Sequence, residues 1–432
     1  MQNKKLLWMM FGLSCLATMI LVSIGRYFDT VVTLIHTPVR KFVSTLNSDF
    51  YGEPLPLQYQ QVYKIPEQHS LLQNNLSKQT LYDLEEQVQP IPEPNVDPIK
   101  DSNGKPVHHI AFIKAHKAAS TTVQNIFLRY GYENDLVFAL PRAGSTISTA
   151  NTVRPGSILP PPPSRPYDIL CSHVRFDREA FGRILPNDTK YIGIVREPFH
   201  QFQSNLQYYR QRFVLNIPGD KPVQEYLLHN DKYMKFGGNN IPSTYNKMAY
   251  DFGFPQDLFW SKDHDKIQRF LAKLDNEIDL VIVTEYFDES IVLMRRLLNW
   301  DLQYVLYGKL NSKKKKDPRL EIGSEEEGLY RKWAHLDYAL YNFFLDKLKE
   351  KLKHQPPDFY EELAYFRSTR TKYDDFCKLS LDGGQSVILF EGSKWNTPFI
   401  VTKEQCKHLY IREIPFFNQL RARRILQLDR MN

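Results

Sequence analysis

The sequence predicts an α/β fold in which helices flank a parallel sheet, preceded by a transmembrane helix and a stem. Three short apolar runs carry this prediction: HIAFI at 109–113, YIGIV at 191–195 and DLVIVT at 279–284. Each run has the length of a buried strand and is followed by a stretch with helical periodicity. Strands that alternate with helices along a chain are typical of a parallel sheet. The apolar run at 136–140 predicts a further strand, and the periodicity of 329–353 predicts one long amphipathic helix.

The N-terminal part of the chain lacks this alternation. Residues 6–25 form an uncharged apolar span, long enough to cross a bilayer core of roughly 30 Å. Two lysines precede the span, so the positive-inside rule predicts a cytoplasmic tail at 1–5, a type II signal-anchor at 6–25 and a lumenal body. A cleaved signal peptide is the alternative, although its apolar region is usually shorter. Residues 26–106 are rich in Pro, Gln and Asn and are predicted to be a lumenal stem, which leaves 107–432 as the globular domain.

The composition is that of a globular protein and excludes collagen, coiled-coil and repeat classes. The chain has 432 residues, of which 42% are hydrophobic and 24% are charged. The formal net charge of +7 suits anionic ligands but is too small for a nucleic-acid-binding protein, so no nucleic-acid partner is expected. Cys377 and Cys406 are predicted to form a disulfide because both flank a Gly-containing C-terminal segment, whereas Cys171 lies in an apolar run typical of a buried thiol.

The most informative stretch joins the first strand to the first helix, at residues 114–122 (KAHKAASTT). The apolar repeat from Val123 to Tyr130 predicts the helix. Cations and hydroxyls therefore lie at a helix N-terminus: Lys114, His116, Lys117, Ser120, Thr121 and Thr122. Free backbone N–H groups and the helix dipole favour an anion at such a position, so this corner predicts a phosphate or sulfate site.

This stretch is open to two other interpretations. It could be an ordinary strand–helix turn capped by Ser120, with both lysines solvated. A nucleoside triphosphate loop, as in a small-molecule kinase, is disfavoured because its glycines and its adjacent Lys-Ser/Thr pair are missing.

Polar side chains also follow two later strands. The apolar run at 167–172 stops at His173, and the strand at 191–195 ends in Arg196, followed by a predicted helix at 200–212 that contains Ser204. The carboxyl ends of parallel strands lie at one edge of an open sheet, where ligands bind. A guanidinium binds phosphate bidentately and a Ser hydroxyl adds a neutral donor. The alternatives are a structural role for His173 and a surface ion pair for Arg196.

These stretches resemble the galactose-3-O-sulfotransferase family of Golgi carbohydrate sulfotransferases. IKAHKAASTT matches LKTHKTGSST of the galactosylceramide branch, CSHVRF matches CNHMRF, and EYFDESIVLMRRLLNW matches EYFDESLVLLKDLLCWE. The resemblance runs from about residue 107 to 310 and implies a P-loop-like sulfotransferase fold. Ala119 stands where the family has Gly, so a left-handed backbone there would cost more than it does with Gly.

The resemblance also implies the substrates and the place of action. The sulfate donor would be 3′-phosphoadenosine 5′-phosphosulfate, and the acceptor would be the 3-hydroxyl of a β-galactose on a glycolipid or glycoprotein. The enzyme would be a single-pass type II protein of the Golgi membrane with a lumenal catalytic domain. Whether it forms a homodimer is left open, and no catalytic metal is expected because the sequence has no compact His/Cys ligand set.

The resemblance further implies a role for each residue of the site. The donor's 5′-phosphosulfate would be held by the loop and helix start, namely Lys114, Lys117, Ala118, Ala119, Ser120, Thr121 and Thr122, and its 3′-phosphate by Arg196 and Ser204. Lys117 would neutralise the leaving oxygen. His173 is the first choice for the general base and His116 the second. We therefore expect the strand ends that bear Lys117 and Arg196 to converge on one nucleotide.

The acceptor site is less defined by the sequence. Tyr208, Asn246, Asp251 and Trp260 are candidates from aromatic and polar content alone. Two alternatives stay open, namely a glycosaminoglycan-type carbohydrate sulfotransferase and a catalytically inactive lumenal binding protein that keeps the fold. The chain after Ile400 carries little information.

Overall fold

The structure is a computed structural model that describes residues 104–209, 211–233, 243–308 and 317–429. The predicted cytoplasmic tail at 1–5, the predicted signal-anchor at 6–25 and almost all of the predicted stem at 26–106 lie outside the described residues. Within the described ranges, none of the helices combines the length and the apolar character that a membrane span requires.

A parallel sheet lies at the centre of the described body. Its strands are β1 (Ile110–Ile113), β2 (Ile169–Leu170), β3 (Lys190–Val195) and β4 (Leu280–Val283), in the spatial order β2-β1-β3-β4. Ile113 pairs with Gly193 and Val195 pairs with Val283, all in parallel register. Every residue of β1 and β4 is buried, as is usual for strands that helices cover on both faces. The predicted parallel sheet is confirmed.

Helices follow the strands along the chain and cover the sheet. The first group is α1 (Ser120–Glu133), α2 (Arg178–Gly182), α3 (Pro198–Tyr209), α4 (Arg212–Leu215), α5 (Pro222–Leu228), α6 (Asn230–Tyr233), α7 (Lys247–Asp251) and α8 (His264–Glu277). The second group is α9 (Phe287–Leu298), α10 (Leu302–Val305), α11 (Ser324–Trp333), α12 (His335–Lys353), α13 (Pro357–Leu381), α14 (Lys403–Tyr410) and α15 (Glu413–Asp429).

Two sequence expectations about helices need correction. The sequence predicted one long helix at 329–353, but the chain breaks at Ala334 between α11 and α12. The break is stabilised because the side-chain oxygen of Asn246 accepts the N–H groups of Leu336 and Asp337 at the start of α12. The helix predicted at 200–212 begins at Pro198 and ends at Tyr209.

A predicted strand at 136–140 is reduced to a single bridge between Phe138 and Ile169. In this segment the N–H of Val137 donates to the carboxylate of Asp168 at 2.6 Å instead of to a backbone carbonyl. A side-chain acceptor thus takes the place of one backbone hydrogen bond between strands, and this segment adds no full strand to the sheet.

The C-terminal part packs back on the first half of the body. An antiparallel hairpin of β5 (Val387–Phe390) and β6 (Phe399–Thr402) leads into α14 and α15. The predicted disulfide between Cys377 and Cys406 is confirmed and joins α13 to α14, while Cys171 is a buried free thiol. On α15, Arg424 donates to the carbonyl of Pro160 at 2.8 Å, which fastens this last helix to the part of the chain before β2.

Candidate active site

The order of the strands places a crevice at the carboxyl ends of β1 and β3. The chain goes from β1 to β2 on one side, whereas β3 and β4 lie on the other side. Open α/β sheets bind ligands at such a switch point. The loop at 114–119 follows β1 and Arg196 follows β3, and Nη1 of Arg196 donates to the carbonyl of Lys117 at 3.2 Å. The two strand ends therefore meet, as the sequence predicted.

Side chains from several elements bind the carbonyl oxygens of this loop. His173 donates to the carbonyl of Lys114, Ser120 to that of Ala115, Gln201 to that of His116 and Arg196 to that of Lys117, at 2.6–3.2 Å. The hydroxyl of Thr284 has one proton to share between the carbonyls of Ala118, at 3.1 Å, and Val195, at 2.9 Å. In a trans peptide the C=O of one residue and the N–H of the next point in opposite directions. The N–H groups of Ala118 and Ala119 therefore point away from these side chains. Together with the N–H groups at the start of α1, they suit an anion.

The loop holds two residues in the left-handed region. Lys117 has a φ of 60° and Ala119 a φ of 58°. This conformation costs a residue with a Cβ about 1–2 kcal/mol. Ala119 therefore adopts the left-handed backbone for which the sequence predicts a higher conformational free energy than with Gly. Strain of this kind persists where surrounding contacts fix the backbone, as the bound carbonyls do here.

The side chains of Lys117 and Lys114 lie in different environments. Nζ of Lys117 lies 3.4 Å from the ring centroid of Tyr208, at the edge of the loop. The side chain of Lys114 is 0% exposed, and its Nζ lies 2.6 Å from Oε1 of Glu413 and 3.0 Å from Nε2 of His173. The sequence predicted that Lys114 binds the donor, but in the structure the ammonium of Lys114 forms an ion pair with the carboxylate of Glu413.

The imidazole of His173 has both nitrogens engaged. Nδ1 faces the carbonyl of Lys114 at 3.0 Å, and since a carbonyl only accepts, Nδ1 carries the proton. The lone pair of Nε2 then accepts a hydrogen bond from Nζ of Lys114. Burial, followed by the charge of Lys114, lowers the pKa of His173 well below its usual value. His173 is thus held as a neutral ring without a free lone pair.

The imidazole of His116 stacks on that of His173, with ring centroids 4.0 Å apart. Nδ1 of His116 donates to Oδ2 of Asp251 at 2.7 Å, and Lys247 donates to Oδ1 of the same carboxylate at 2.7 Å. Burial alone would raise the pKa of Asp251, but His116 and Lys247 lower it to about 2. The ionised carboxylate fixes the proton of His116 on Nδ1, which leaves the Nε2 lone pair available. Burial lowers the pKa of His116, and Asp251 offsets part of this effect.

Arg196 lies half-buried at the end of β3. Among the residues that the structure describes, no carboxylate oxygen lies within 4.0 Å of its guanidinium, so the alternative of a surface ion pair is not observed. Glu197 instead accepts a hydrogen bond from Tyr338 at 3.1 Å. Ser204 lies half-buried on α3. Within the same described ranges, no group of three or more His, Cys, Asp or Glu side chains could hold a metal ion.

The four acceptor candidates are placed differently. Asp251 and Tyr208 contact His116 and Lys117, respectively. Asn246 is a wrong choice because its side chain is buried and caps α12. Trp260 stacks on Tyr245 at a centroid distance of 6.1 Å.

Sequence reasoning missed two partners in this site. Glu413 lies in the segment after Ile400, whose sequence carries little information, and an acidic residue at a helix start usually indicates only a cap. Asp251 was named for the acceptor and not as the partner of His116, 135 residues away. No local pattern links either carboxylate to the loop.

Comparison with known proteins gives a consistent result. The model of the family described as Galactose-3-O-sulfotransferase matches residues 65–388. The chain is 34% identical over 250 residues to galactose-3-O-sulfotransferase 3 of Homo sapiens, covering 57% of this chain and 58% of that relative. It is 31% identical over 299 residues to galactosylceramide sulfotransferase of Bos taurus, covering 66% of each. The chain thus spans 58% of the length of galactose-3-O-sulfotransferase 3.

Proposed function

Because this chain belongs to the galactose-3-O-sulfotransferase family, we propose that it transfers a sulfuryl group from 3′-phosphoadenosine 5′-phosphosulfate to the 3-hydroxyl of a β-galactose. The acceptor galactose would be carried by a glycolipid or a glycoprotein. The observation that carries this proposal is the convergence of the loop after β1 with Arg196 after β3, at 3.2 Å. A nucleotide with two anionic ends requires two such cationic positions at one edge of the sheet.

The donor would be held mainly by backbone groups. The N–H groups of Ala118 and Ala119 and of the first turn of α1 would bind the 5′-phosphosulfate. Thr121 and Thr122 at this turn add hydroxyl donors, while the hydroxyl of Ser120 is already bonded to the loop. Arg196 and Ser204 would bind the 3′-phosphate. These groups fit the donor because they supply positive charge and N–H donors without a carboxylate paired to Arg196 in the described part of the chain.

The chemistry is an in-line displacement at sulfur. The oxygen of the galactose 3-hydroxyl forms a bond to sulfur while the bond from sulfur to the bridging oxygen breaks, giving adenosine 3′,5′-bisphosphate and galactose 3-sulfate. Negative charge grows on the leaving oxygen, and the ammonium of Lys117 stabilises it. The hydroxyl proton passes to a histidine, because a sugar hydroxyl is a poor nucleophile at neutral pH.

The hydrogen bonds favour His116 over His173 as this base. His173 was the first choice from sequence, but its Nε2 accepts a hydrogen bond from Lys114. His116 has an ionised partner on Nδ1 and keeps the lone pair of Nε2. This arrangement orients His116 in the way that a carboxylate orients a catalytic imidazole.

We also propose a P-loop-like sulfotransferase fold held in the Golgi lumen by the N-terminal apolar span. The parallel sheet, with its anion loop at the start of α1, supports this fold. The disulfide between Cys377 and Cys406 supports an oxidising compartment, since such bonds are rare in the cytosol.

The test is an assay of the purified full chain with labelled donor and a panel of galactosyl lipids, galactosyl oligosaccharides and glycosaminoglycans. We expect label on the 3-hydroxyl of galactose. Label on uronic acid or hexosamine would support the glycosaminoglycan alternative. Binding of adenosine 3′,5′-bisphosphate without transfer to any acceptor would indicate an inactive binding protein.

The role of Lys117 is tested by Lys117→Ala. We expect transfer to be abolished with the fold intact, because the leaving oxygen loses its cation. Lys332→Ala is the matched control, since Lys332 is exposed on α11. An unchanged kcat in Lys117→Ala would remove Lys117 from the mechanism.

A further inference from the structure

The ammonium of Lys114 is buried against a carboxylate from the far end of the chain. Its side chain is 0% exposed and lies 2.6 Å from Oε1 of Glu413, whose own side chain is 20% exposed. The two residues are 299 positions apart. A buried ammonium is very costly unless it is paired and hydrogen-bonded. Glu413 therefore supplies the charge that allows Lys114 to stay protonated inside the body.

The same ammonium reaches the histidines. An ammonium has three donors, and one of those of Lys114 is directed at Nε2 of His173, at 3.0 Å. This bond, with that of Nδ1 to the loop carbonyl, fixes the ring of His173. The fixed ring forms the stacking surface of His116. Contacts therefore run without a gap from Glu413 through Lys114 and His173 to the proposed base.

We propose that Glu413 is a positioning residue for sulfate transfer, which keeps Lys114 charged and directed at His173 and thereby fixes the imidazole of His116. The inference rests on the proposed function and adds a residue to it. Glu413 lies beyond residue 388, where the match to the family ends. The inference thus concerns a residue outside the matched segment.

The position of Glu413 is set by the packing of α14 and α15. Asn125 on α1 donates to the carbonyl of His408 at the end of α14, at 2.9 Å. Arg421 on α15 donates to the carbonyl of Gly144 at 2.7 Å. Helix α15 is therefore held at the body by bonds that do not involve Glu413, and a substitution at 413 leaves these bonds in place.

Charged and titratable groups from several elements face this cluster. They are Glu413 on α15, Cys171 and His173 after β2, His116 in the loop, Tyr209 on α3, and Lys247 and Asp251 on α7. Burial lowers the pKa of Lys114, and Glu413 raises it again. Without the carboxylate, the pKa of Lys114 falls further, so the amine becomes neutral at a lower pH. The bond to His173 then weakens and the loop loses a positive charge.

The first test compares Glu413→Gln with Glu413→Asp and with the control Glu404→Gln, whose carboxylate is exposed on α14. We expect Glu413→Gln to lower kcat on the order of 10²-fold at neutral pH, since misplacement of a catalytic group has effects of this size. The KM for the donor should change much less. The basic limb of the pH profile of kcat should move to lower pH in Glu413→Gln and stay in place in Glu413→Asp and Glu404→Gln.

A merely structural role gives a different result. A loss of folded protein would lower the rate equally at all pH values, without moving the basic limb. If the basic limb of the pH profile of kcat does not move in Glu413→Gln, the inference is overturned. The double variant Lys114→Met/Glu413→Leu serves if Glu413→Gln does not fold, because apolar replacement of a buried ion pair is often neutral or stabilising. Wild-type kcat in the folded double variant would equally overturn the inference.

A second readout does not depend on enzyme activity. Because the pKa of Lys114 in the folded state lies below its unfolded value, the unfolded state binds more protons and the free energy of unfolding rises with pH in that window. The window widens in Glu413→Gln, so the rise should begin at a lower pH and be larger in total than in the wild type, with Glu404→Gln unchanged. If this result holds while the wild type transfers no sulfate, the proposed function fails and the charge role of Glu413 stands. If the wild type transfers sulfate while both readouts are unaltered in Glu413→Gln, the inference alone fails.

Discussion

At the scale of single residues, Ala119 shows what it costs to build an anion loop without glycine. Its φ of 58° lies in the left-handed region, where a Cβ is unfavourable. We expect Ala119→Gly to raise the free energy of unfolding by about 1 kcal/mol, because glycine adopts this conformation freely. Donor binding should be retained, since the backbone N–H groups stay in place.

The matched control is Ala118→Gly, at the neighbouring loop position. Ala118 is buried and does not have a positive φ, so its replacement should lower the free energy of unfolding. Denaturant titration measures both values. A lower stability of Ala119→Gly would show that the loop does not carry this strain.

The pair of His116 and Asp251 predicts a specific pH dependence. A histidine base must be neutral, so kcat falls as the pH drops through its pKa. Burial lowers the pKa of His116, and we expect the acid limb of the wild-type profile below the usual value of about 6.5. In Asp251→Asn the carboxylate that raises this pKa is gone, so the limb should move to still lower pH. The value of kcat should drop on the order of 10²–10⁴-fold, since the base loses its orientation.

The control for this variant is Asp257→Asn, which alters an exposed carboxylate after α7. It should leave both kcat and the acid limb unchanged. An acid limb that stays in place in Asp251→Asn would exclude His116 as the titrating base.

At the scale of elements, α7 and α12 cap each other and so fix the helix that carries Asp251. Asn246 before α7 accepts the first N–H groups of α12, and Asp337 on α12 accepts the N–H of Ala249 on α7 at 2.7 Å. Both side chains are fully buried. The short helix α7 therefore has a defined position next to the loop at 114–119.

This contact should make stability depend on pH. Burial raises the pKa of Asp337 to about 7, although the N–H donors of Ala249 and Met248 lower it. The unfolded value is about 3.9. Between these values the folded state binds more protons, so this residue lowers the free energy of unfolding as the pH rises. The stability of Asp337→Asn relative to the wild type should therefore increase with pH, by up to about 1.4 kcal/mol per pH unit.

Unfolding measured from pH 4 to 7 tests this prediction. Asp346→Asn, on the exposed side of α12, is the control and should show no such trend. A constant difference between Asp337→Asn and the wild type would mean that Asp337 titrates normally in the folded protein.

The elements that sequence could predict are those with local patterns. Each of these patterns is contained within about ten residues, which is the length over which hydrophobic periodicity can be recognised. They are the apolar runs of β1, β3 and β4 and the polar loop after β1. The break at Ala334 is not readable in this way, because the side chain that stabilises it, that of Asn246, lies about 90 residues earlier, before α7. The same holds for Asp251 and Glu413 in the site, since only the folded chain brings their carboxylates to His116 and Lys114.

At the scale of the whole molecule, strand order determines where function can lie. Strands β1 and β3 are neighbours in space although β2 lies between them in sequence. The two segments that carry Lys117 and Arg196 are thereby adjacent without any direct connection along the chain. The sequence could predict that both segments follow strands. Whether those two strands lie side by side in the sheet depends on the crossover connections between them.

The bond between Lys114 and Glu413 joins the loop after the first strand of the described body to its last helix. A ribosome translates the donor loop long before it reaches Glu413, so a nascent chain displays Lys114 without its counter-ion. With the role that we propose for Glu413, sulfate transfer would require that translation has passed the C-terminal helix and that this helix has docked. A chain that ends before this helix would keep the loop at 114–119 and Arg196 but would lack the counter-ion of Lys114.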